Sequence, residues 1–577
     1  MQSLTTNNTT TDTVTGGDAA IQLLKANGIK TVFGLLGGSM LELYDAMLQD
    51  GSVSYVGARD ERAAGHMADA YARITGGPGV VLGAQAGPGV VNLTTAVAEA
   101  HLAYSPLLVI AGAISRSDLG KDTFQEVDQV ALFQPICKRS LLVTDAARFP
   151  VMLEDALRLC MSGRRGPVVL HVPRDIMAEQ IDAPVVRKIE YATAGPPATN
   201  KIKQIVSLVS AAKRPVIVAG AGFKCGGNND SLVRLAECLQ IPVVASTGHA
   251  DIMPHNHPLY AGQGGPRGNS VASGLTRDAD CLLVLGARLA FNSTFHSNEY
   301  VSANAKIIQV DIEGSAIGRY FPVEQGLVAD AAETAESLIE TINQSVIDGG
   351  DTLNTDAWKI WREKFESDKL LLNEERVSEA RQNEVPMHPR RALAEIRESL
   401  PDDAIVTLDT GNACLQAADR LKHQQCPGLI TPLDFGLVGF GYAAAIGAKA
   451  AATDRPVFSI MGDGGFGFTM SEITSAVRYK LNVIAIVLDN GAWGAEKAYQ
   501  LEFFAGRLLG SEIDSPRYDK VAELCGARGW FVDKPGQLQT AITESLACAE
   551  PSVIHVKIDP EALSTLRKDL FKTVTDK

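Results

Sequence analysis

Apolar and polar positions along this chain follow two alternating rhythms. Apolar runs at 31–33, 79–82, 107–111 and 168–172 show no polar alternation. That is the pattern of strands buried on both faces of a parallel sheet. Between them, the stretches 17–27 and 61–75 repeat apolar residues three and four apart and predict amphipathic helices. The rhythm restarts at RPVIVAGAG (214–222) and continues through 279–286 and 305–311. It restarts again at MHPRR (387–391) and runs to about residue 559. Alternating strands and helices predict an α/β protein of three domains, each a doubly wound parallel sheet with helices on both faces.

Two breaks divide these blocks. Residues 186–200 include Gly195, Pro196 and Pro197 and read as a linker. Residues 344–385 are long, polar and charged, and read as the second break. The expected domains are therefore 13–185, 198–345 and 386–560. A chain of 577 residues is too long for one core, which agrees with several domains. The first 17 residues are rich in Thr and Asn without an apolar core, so they read as a disordered tail and not a signal peptide. The apolar run 106–113 is too short to cross a bilayer. Nine cysteines without a CxxC pair read as buried apolar thiols. A net charge of −14 argues against nucleic-acid binding as the main role, yet leaves room for a local basic pocket facing an anionic substrate. The expectation is a cytoplasmic protein acting on small molecules, with no membrane and no nucleic acid as partner.

The third block carries the most specific chemistry. IMGDGGFG (460–467) is an apolar strand ending in Gly462, Asp463, Gly464 and Gly465. VIAIVLDNGAWG (483–494) is a second strand ending at Asp489 and Asn490. The crossover between them is long enough for a helix, so the two strand ends can be neighbours in a parallel sheet. Asp463 and Asn490 then meet at the carboxyl edge, where α/β folds bind ligands. Both offer oxygen, which suits Mg²⁺ shared with a phosphate. The glycines let backbone amides approach a diphosphate, and a helix N-terminus favours its charge.

With these residues in view, the chain resembles the acetolactate synthase/pyruvate oxidase superfamily of thiamine-diphosphate (ThDP) enzymes over nearly its whole length. In sequence order it matches a pyrimidine-binding, a central and a diphosphate-binding domain. The resemblance implies that Asp463, Asn490 and the carbonyl of Ala492 hold Mg²⁺. DTGN (409–412) is similar to the family's diphosphate loop and nominates Thr410, Gly411 and Asn412. GLVGFG (436–441) is similar to the loop beneath the aminopyrimidine. There Gly436 would offer its carbonyl and Val438 would be the apolar wedge, although Val is smaller than the usual Met or Leu. VGARDERAAGHMADAYAR (56–73) resembles the element bearing the activating carboxylate, with Glu61 at the catalytic position and Asp60 replacing the usual His. FGLLGGSM (33–40) and QAGPGVVN (85–92) add Gly37, Gly87 and Asn92 to the cofactor surroundings. Because the family places the two halves of the cofactor on different subunits, the resemblance implies a homodimer at minimum and a homotetramer by family habit.

Fold and cofactor do not select the substrate. FQEVD (124–128) resembles the substrate-channel element of acetolactate synthase-like enzymes. It nominates Phe124 as a channel residue, Gln125 as a group polarising a carbonyl, and Lys138 further on as a partner for an anion. WGAEKAYQLEFF (493–504) resembles the stretch of sulfoacetaldehyde acetyltransferases that follows the Mg²⁺ loop. It nominates Trp493 and Lys497 for substrate and Glu496 as an acid/base group or an ion-pair partner of Lys497 or Arg507. Ala498 stands where those enzymes carry a second Lys, which puts a phosphate acceptor in doubt. In the central block, GAG (220–222), GGPRG (264–268), GAR (286–288) and DIE (311–313) are turns of the kind that bind FAD in acetolactate synthase and pyruvate oxidase. ADP or CoA occupies that region in CoA-handling relatives, and the same turns also fit a purely structural domain. The resemblance implies ThDP-dependent carbon–carbon bond cleavage with acyl or aldehyde transfer, like sulfoacetaldehyde acetyltransferase. The alternatives are a 2-hydroxyacyl-CoA lyase or an acetolactate synthase-like carboligase.

Overall fold

The computed structural model describes residues 13–226, 229–347 and 355–565. They fold as three six-stranded sheets and a two-stranded ribbon. The three large sheets are parallel throughout, and their central strands are buried on both faces, as uninterrupted apolar runs require. The chain divides into two compact units. One is Met1–Ala72 with Gly77–Ala192, and the other is Arg73–Gly76 with Thr193–Lys577.

In the first unit the sheet order is Ser54–Gly57, Thr31–Leu35, Gly79–Gly83, Leu107–Ala113, Val168–Pro173, Arg139–Leu142. The chain leaves Thr31–Leu35 toward one edge and returns on the other side with Gly79–Gly83. That reversal is a switch point, and it opens a crevice beyond the carboxyl ends of those two strands. Leu82, Leu108, Ile110 and Leu170 join the helix Gly16–Ala26 in one core. Part of the expected N-terminal tail is ordered instead. Thr13–Thr15 pairs antiparallel with Gln180–Asp182, and Thr15 caps the helix that follows. Three successive β-branched positions and a capping box with Asp18 favour this over a free tail. Residues 1–12 lie outside the described residues.

The second unit holds two sheets. One runs Tyr260–Gln263, Val243–Ala245, Pro215–Ala219, Cys281–Leu285, Lys306–Asp311, Gln325–Val328. The other runs Leu429–Ile430, Ile405–Leu408, Val457–Gly462, Val483–Asp489, Ser552–Lys557, Arg528–Val532. The expected neighbours Val457–Gly462 and Val483–Asp489 pair in parallel, with Gly462 opposite Leu488. The switch point of this last sheet falls between Ile405–Leu408 and Val457–Gly462.

Within the polar stretch 344–385, Lys359–Glu379 is a 21-residue helix. Its apolar positions are few but aligned. Trp358, Trp361 and Phe365 are buried, and the two indole N–H groups donate to the carbonyls of Ala212 (2.8 Å) and Pro215 (3.2 Å). Three large anchors on one stripe hold a helix whose remaining surface is charged. Among the described residues, no helix is long and apolar enough to cross a membrane.

Candidate active site

The switch point of the third sheet opens a pocket lined by the 410–414 turn, Val438, the 462–465 turn, and Asn490 with Ala492 through Glu496. Each piece is placed by a strand end. Asp409 ends Ile405–Leu408 and is fully buried. Its carboxylate accepts from the backbone N–H groups of Thr410 (2.6 Å) and Gly439 (3.0 Å). It thereby ties the 410–412 turn to the 436–441 loop. Burial pushes this carboxyl up to about 7, against those backbone donors. The sequence motif included Asp409, but nothing in it signalled this bracing role.

Asp463 follows Val457–Gly462 and opens the short helix Asp463–Gly467. Its Oδ2 accepts from Ser515 Oγ (2.7 Å), and its carbonyl accepts from Tyr518 Oη (2.8 Å). Burial pushes the Asp463 carboxyl up to about 6, with Ser515 opposing and Asp489 adding to the rise. A divalent cation would reverse that cost. Asn490 lies one position past the strand end, and its Oδ1 accepts from the N–H of Ala492 (3.2 Å). Asp489 beneath it is locked by His555 Nε2 (2.6 Å), Lys557 Nζ (2.8 Å) and the N–H of Gly491 (2.8 Å). Burial opposes its charge, but the His555 and Lys557 bonds prevail and hold the carboxyl well below its usual range. His555 and Lys557 lie on a strand more than sixty residues away, so no local pattern around Asp489 signals them.

The pocket suits a phosphorylated cofactor and an oxygen-loving metal. Thr410 Oγ1 is buried without a hydrogen-bond partner. Gly411 precedes the helix Asn412–Arg420, whose first N–H groups lie at the pocket. A methyl group on Gly464 would lie 2.6 Å from the Trp493 ring, and one on Gly465 would lie 3.0 Å from Asp409 Oδ2. One carboxylate, one amide oxygen and one backbone carbonyl form an Mg²⁺-type donor set. Among the described residues there is no cluster of three or more His, Cys, Asp or Glu that could hold a metal. The side chain of Asn412 is already occupied, donating to the carbonyl of Ser564 (2.6 Å) and accepting from its N–H (3.1 Å).

The residues nominated for substrate separate. Trp493 packs over Gly464, and Glu496 lines the pocket as an exposed side chain. Lys497 turns away and is buried, with Glu561 at 3.3 Å and Glu512 at 3.7 Å. Glu496 therefore does not pair with Lys497, contrary to one of the two expectations for it. The helix Gly494–Phe503 accounts for this, since adjacent helical positions point about 100° apart.

In the first unit, the switch point brings the other nominated residues together. Gly38 N–H donates to Gln85 Oε1 (2.9 Å), and Gln85 Nε2 donates to Gln125 Oε1 (2.6 Å). A methyl group on Gly37 would lie 2.7 Å from the Gln85 nitrogen, and one on Gly87 would lie 2.4 Å from the Gln125 carbonyl oxygen. Gln125 has a φ of 70°, a strained value for a side-chain-bearing residue, and adjacent Phe124 is 83% exposed. Glu61 opens the helix Glu61–Thr75, and its Oε2 accepts from Asn92 Nδ2 (3.1 Å). A methyl on Gly89 would lie 2.9 Å from Glu61 Oε1, so this glycine leaves room for the carboxylate. The N–H of Gly87 is held by Gln129 Oε1 (2.9 Å), and Gln129 Nε2 donates to His171 Nδ1 (3.1 Å).

Lys138, nominated as a partner for an anion, sits at a helix end. Its ammonium donates to the carbonyls of Leu159 and Ser162, both at 2.7 Å, and so closes the C-terminus of the helix Phe149–Met161. In the central block, Gly220, Gly222 and Gly286 pack backbone to backbone. A methyl on Gly222 would lie 2.6 Å from the Cα of Gly286. Asp311 accepts from the N–H of Glu313, and Glu313 from that of Ser315. Close packing and turn formation thus account for several residues of these motifs.

Three family models match the chain: the N-terminal thiamine pyrophosphate-binding domain at 14–132, the central domain at 202–338, and the C-terminal binding domain at 409–556. Among curated relatives, a probable acetolactate synthase large subunit of Methanococcus aeolicus is 31% identical over 95% of this chain and 92% of its own length. A sulfoacetaldehyde acetyltransferase of Castellaniella defragrans is 32% identical over 96% of this chain and 95% of its own. The acetolactate synthase isozyme 3 large subunit of Escherichia coli is 30% identical over 92% of each. With these matches spanning both switch-point clusters, the chain belongs to the thiamine pyrophosphate enzyme family and is a ThDP-dependent enzyme.

Proposed function

We propose that this enzyme uses ThDP with Mg²⁺ to break a carbon–carbon or carbon–sulfur bond next to a carbonyl and to transfer the resulting acyl or aldehyde unit; one relative is a sulfoacetaldehyde acetyltransferase by name. The observation that carries this reading is the single pocket joining the 410–412 turn, the Gly462–Asp463–Gly464 turn, Asn490 and the Trp493–Glu496 turn. Thr410, Gly411, Asn412, Gly462, Gly464 and Gly465 would hold the diphosphate. Asp463, Asn490 and the Ala492 carbonyl would hold Mg²⁺. Gly436 and Val438 would support the aminopyrimidine. Bound there, ThDP supplies the electron sink for this chemistry.

The chain's own groups do the rest. Glu61, positioned by Asn92 and given space by Gly89, would hold a proton at the pyrimidine nitrogen of a second copy's cofactor. This makes a homodimer the smallest active form, and a homotetramer would pair two such dimers. Gly37 and Gly87 would let the ring approach the backbone. Gln125, its oxygen already engaged by Gln85, would donate through its amide nitrogen to a substrate oxygen beside Phe124. Trp493 would exclude water, and Glu496 would move a proton at the substrate.

One observation favours a second reading, an acetolactate synthase-like carboligase. No Lys or Arg lines the described pocket, and Lys138 and Lys497 are both engaged elsewhere. A neutral carbonyl acceptor needs no cation, whereas phosphate does. The test supplies enzyme, ThDP and Mg²⁺ with sulfoacetaldehyde, with and without phosphate, and separately with pyruvate, and reads products by mass spectrometry. Acetyl phosphate and sulfite, formed from sulfoacetaldehyde only when phosphate is present, support the first reading. Acetolactate formed without phosphate supports the second. Turnover of only a 2-hydroxyacyl-CoA, giving formyl-CoA, would overturn both.

A further inference from the structure

A second cavity, of about 290 Å³, lies within the larger unit, away from the cofactor pocket. Its walls come from the edge strand Tyr260–Gln263, the polar helix Lys359–Glu379 and the helix Pro389–Ser399, with the 422–424 segment closing it. In a chain of net charge −14, this lining holds Lys369, Arg376, Arg397 and Lys422 and not one Asp or Glu. Asn256, Asn269, Asn373 and Gln424 add amide groups.

The charges are compensated unevenly. Arg376 pairs with buried Asp419, and Lys422 pairs with Glu398 at 3.0 Å. Arg397 has no ion-pair partner among the described residues, and its buried Nε has no hydrogen-bond partner. Lys369 donates to the carbonyls of His257 (2.9 Å) and Pro258 (3.2 Å) and lies 5.6 Å from the centre of the Phe365 ring, with no ion-pair partner among the described residues. Gln424 Oε1 is likewise buried without a partner. A half-buried cation without a counter-charge is costly to keep, and an anion that fills the cavity would remove the cost. In keeping with that cost, burial and then Arg376 hold the Arg397 guanidinium below its ordinary value, and burial pushes Lys369 down to about 8.

We propose that this cavity is a binding site for a small phosphate-bearing metabolite, held by Arg397 and Lys369 with Arg376 and the amide groups at its rim. A planar guanidinium fork and a mobile ammonium converging on one space suit a tetrahedral oxyanion. The volume leaves room for a small organic group beside it. The site is separate from the cofactor pocket. Asp419, which holds Arg376, lies near the end of the helix Asn412–Arg420, while Asn412 opens that helix at the cofactor pocket, about 10 Å away along the axis.

The test titrates the holoenzyme, saturated with ThDP and Mg²⁺, with inorganic phosphate by calorimetry. Wild type is compared with Arg397→Gln and Lys369→Gln. One phosphate per chain is expected, with affinity falling about tenfold or more in each variant. Without phosphate, Arg397→Gln should melt no lower than wild type, because it removes a cation that has no ion-pair partner. No binding to wild type, or binding retained in both variants, overturns the proposal. The latter result would place the phosphate in the cofactor pocket. Succinate binding with the same dependence on Arg397 in place of phosphate would overturn the phosphate assignment.

Discussion

Glu61 shows how little space separates a working carboxylate from a misplaced one. Its Oε2 takes the Asn92 amide, and its Oε1 lies where a methyl group on Gly89 would press. Gly89→Ala should therefore displace the carboxylate and cut turnover about tenfold or more, while the circular-dichroism spectrum stays that of wild type. Activity equal to wild type would remove the spatial role given to this glycine. Glu61→Gln keeps the shape but loses the acid. Exchange of the cofactor's C2 hydrogen for deuterium should slow about a hundredfold or more, and unchanged exchange would remove Glu61 from activation. Both glutamate and glycine stood in readable motifs, but their mutual contact did not, because 28 positions and a strand crossover separate them.

Elements explain what the nominated lysines hold. Lys138 caps the helix Phe149–Met161, so Lys138→Met should lower stability by about 1 kcal/mol or more through two stranded carbonyls. The Michaelis constant should be unchanged, and a large rise in it would return Lys138 to the substrate. The helix Lys359–Glu379 depends on a few anchors, so Trp361→Ala should cost about 3–5 kcal/mol in urea denaturation. His171 sets a pH dependence for the support beneath Gly87. Burial holds its pKa at about 4, below the ordinary 6.5, and Gln129 donates to its Nδ1. The unfolded chain therefore takes up this proton first as pH falls, so stability present above pH 6.5 is lost toward pH 4. His171→Asn should flatten that part of the stability profile, and an unaltered profile would assign the dependence to other groups. The contacts of these lysines and of the polar helix were not legible in sequence for one reason. Charge and amphipathicity are visible in sequence, but the carbonyls a lysine caps and the groove a sparse apolar stripe enters belong to distant segments.

The whole molecule links folding to its cofactor. A ligand that binds only the folded chain stabilises it by mass action, by about 2.7 kcal/mol at a hundredfold excess over Kd. ThDP with Mg²⁺ should raise the melting temperature accordingly, and chelation by EDTA should remove most of the rise. Asp463→Ala should abolish the ThDP-linked rise. It should not lower the melting temperature of the cofactor-free protein, because the buried carboxylate is costly when it faces no cation. A full ThDP response in that variant would exclude Asp463 from metal binding. By itself, the sequence determined the parallel sheets, through uninterrupted apolar runs, and the strand-end motifs that carry Asp463, Asn490 and Glu61, since such signals are local and repeat along the chain. Only the tertiary structure decided how those motifs are braced. Asp409, His555, Lys557 and Gln129 act on partners far away in sequence. Likewise, the direction in which Lys138 and Lys497 point is set by what packs around them.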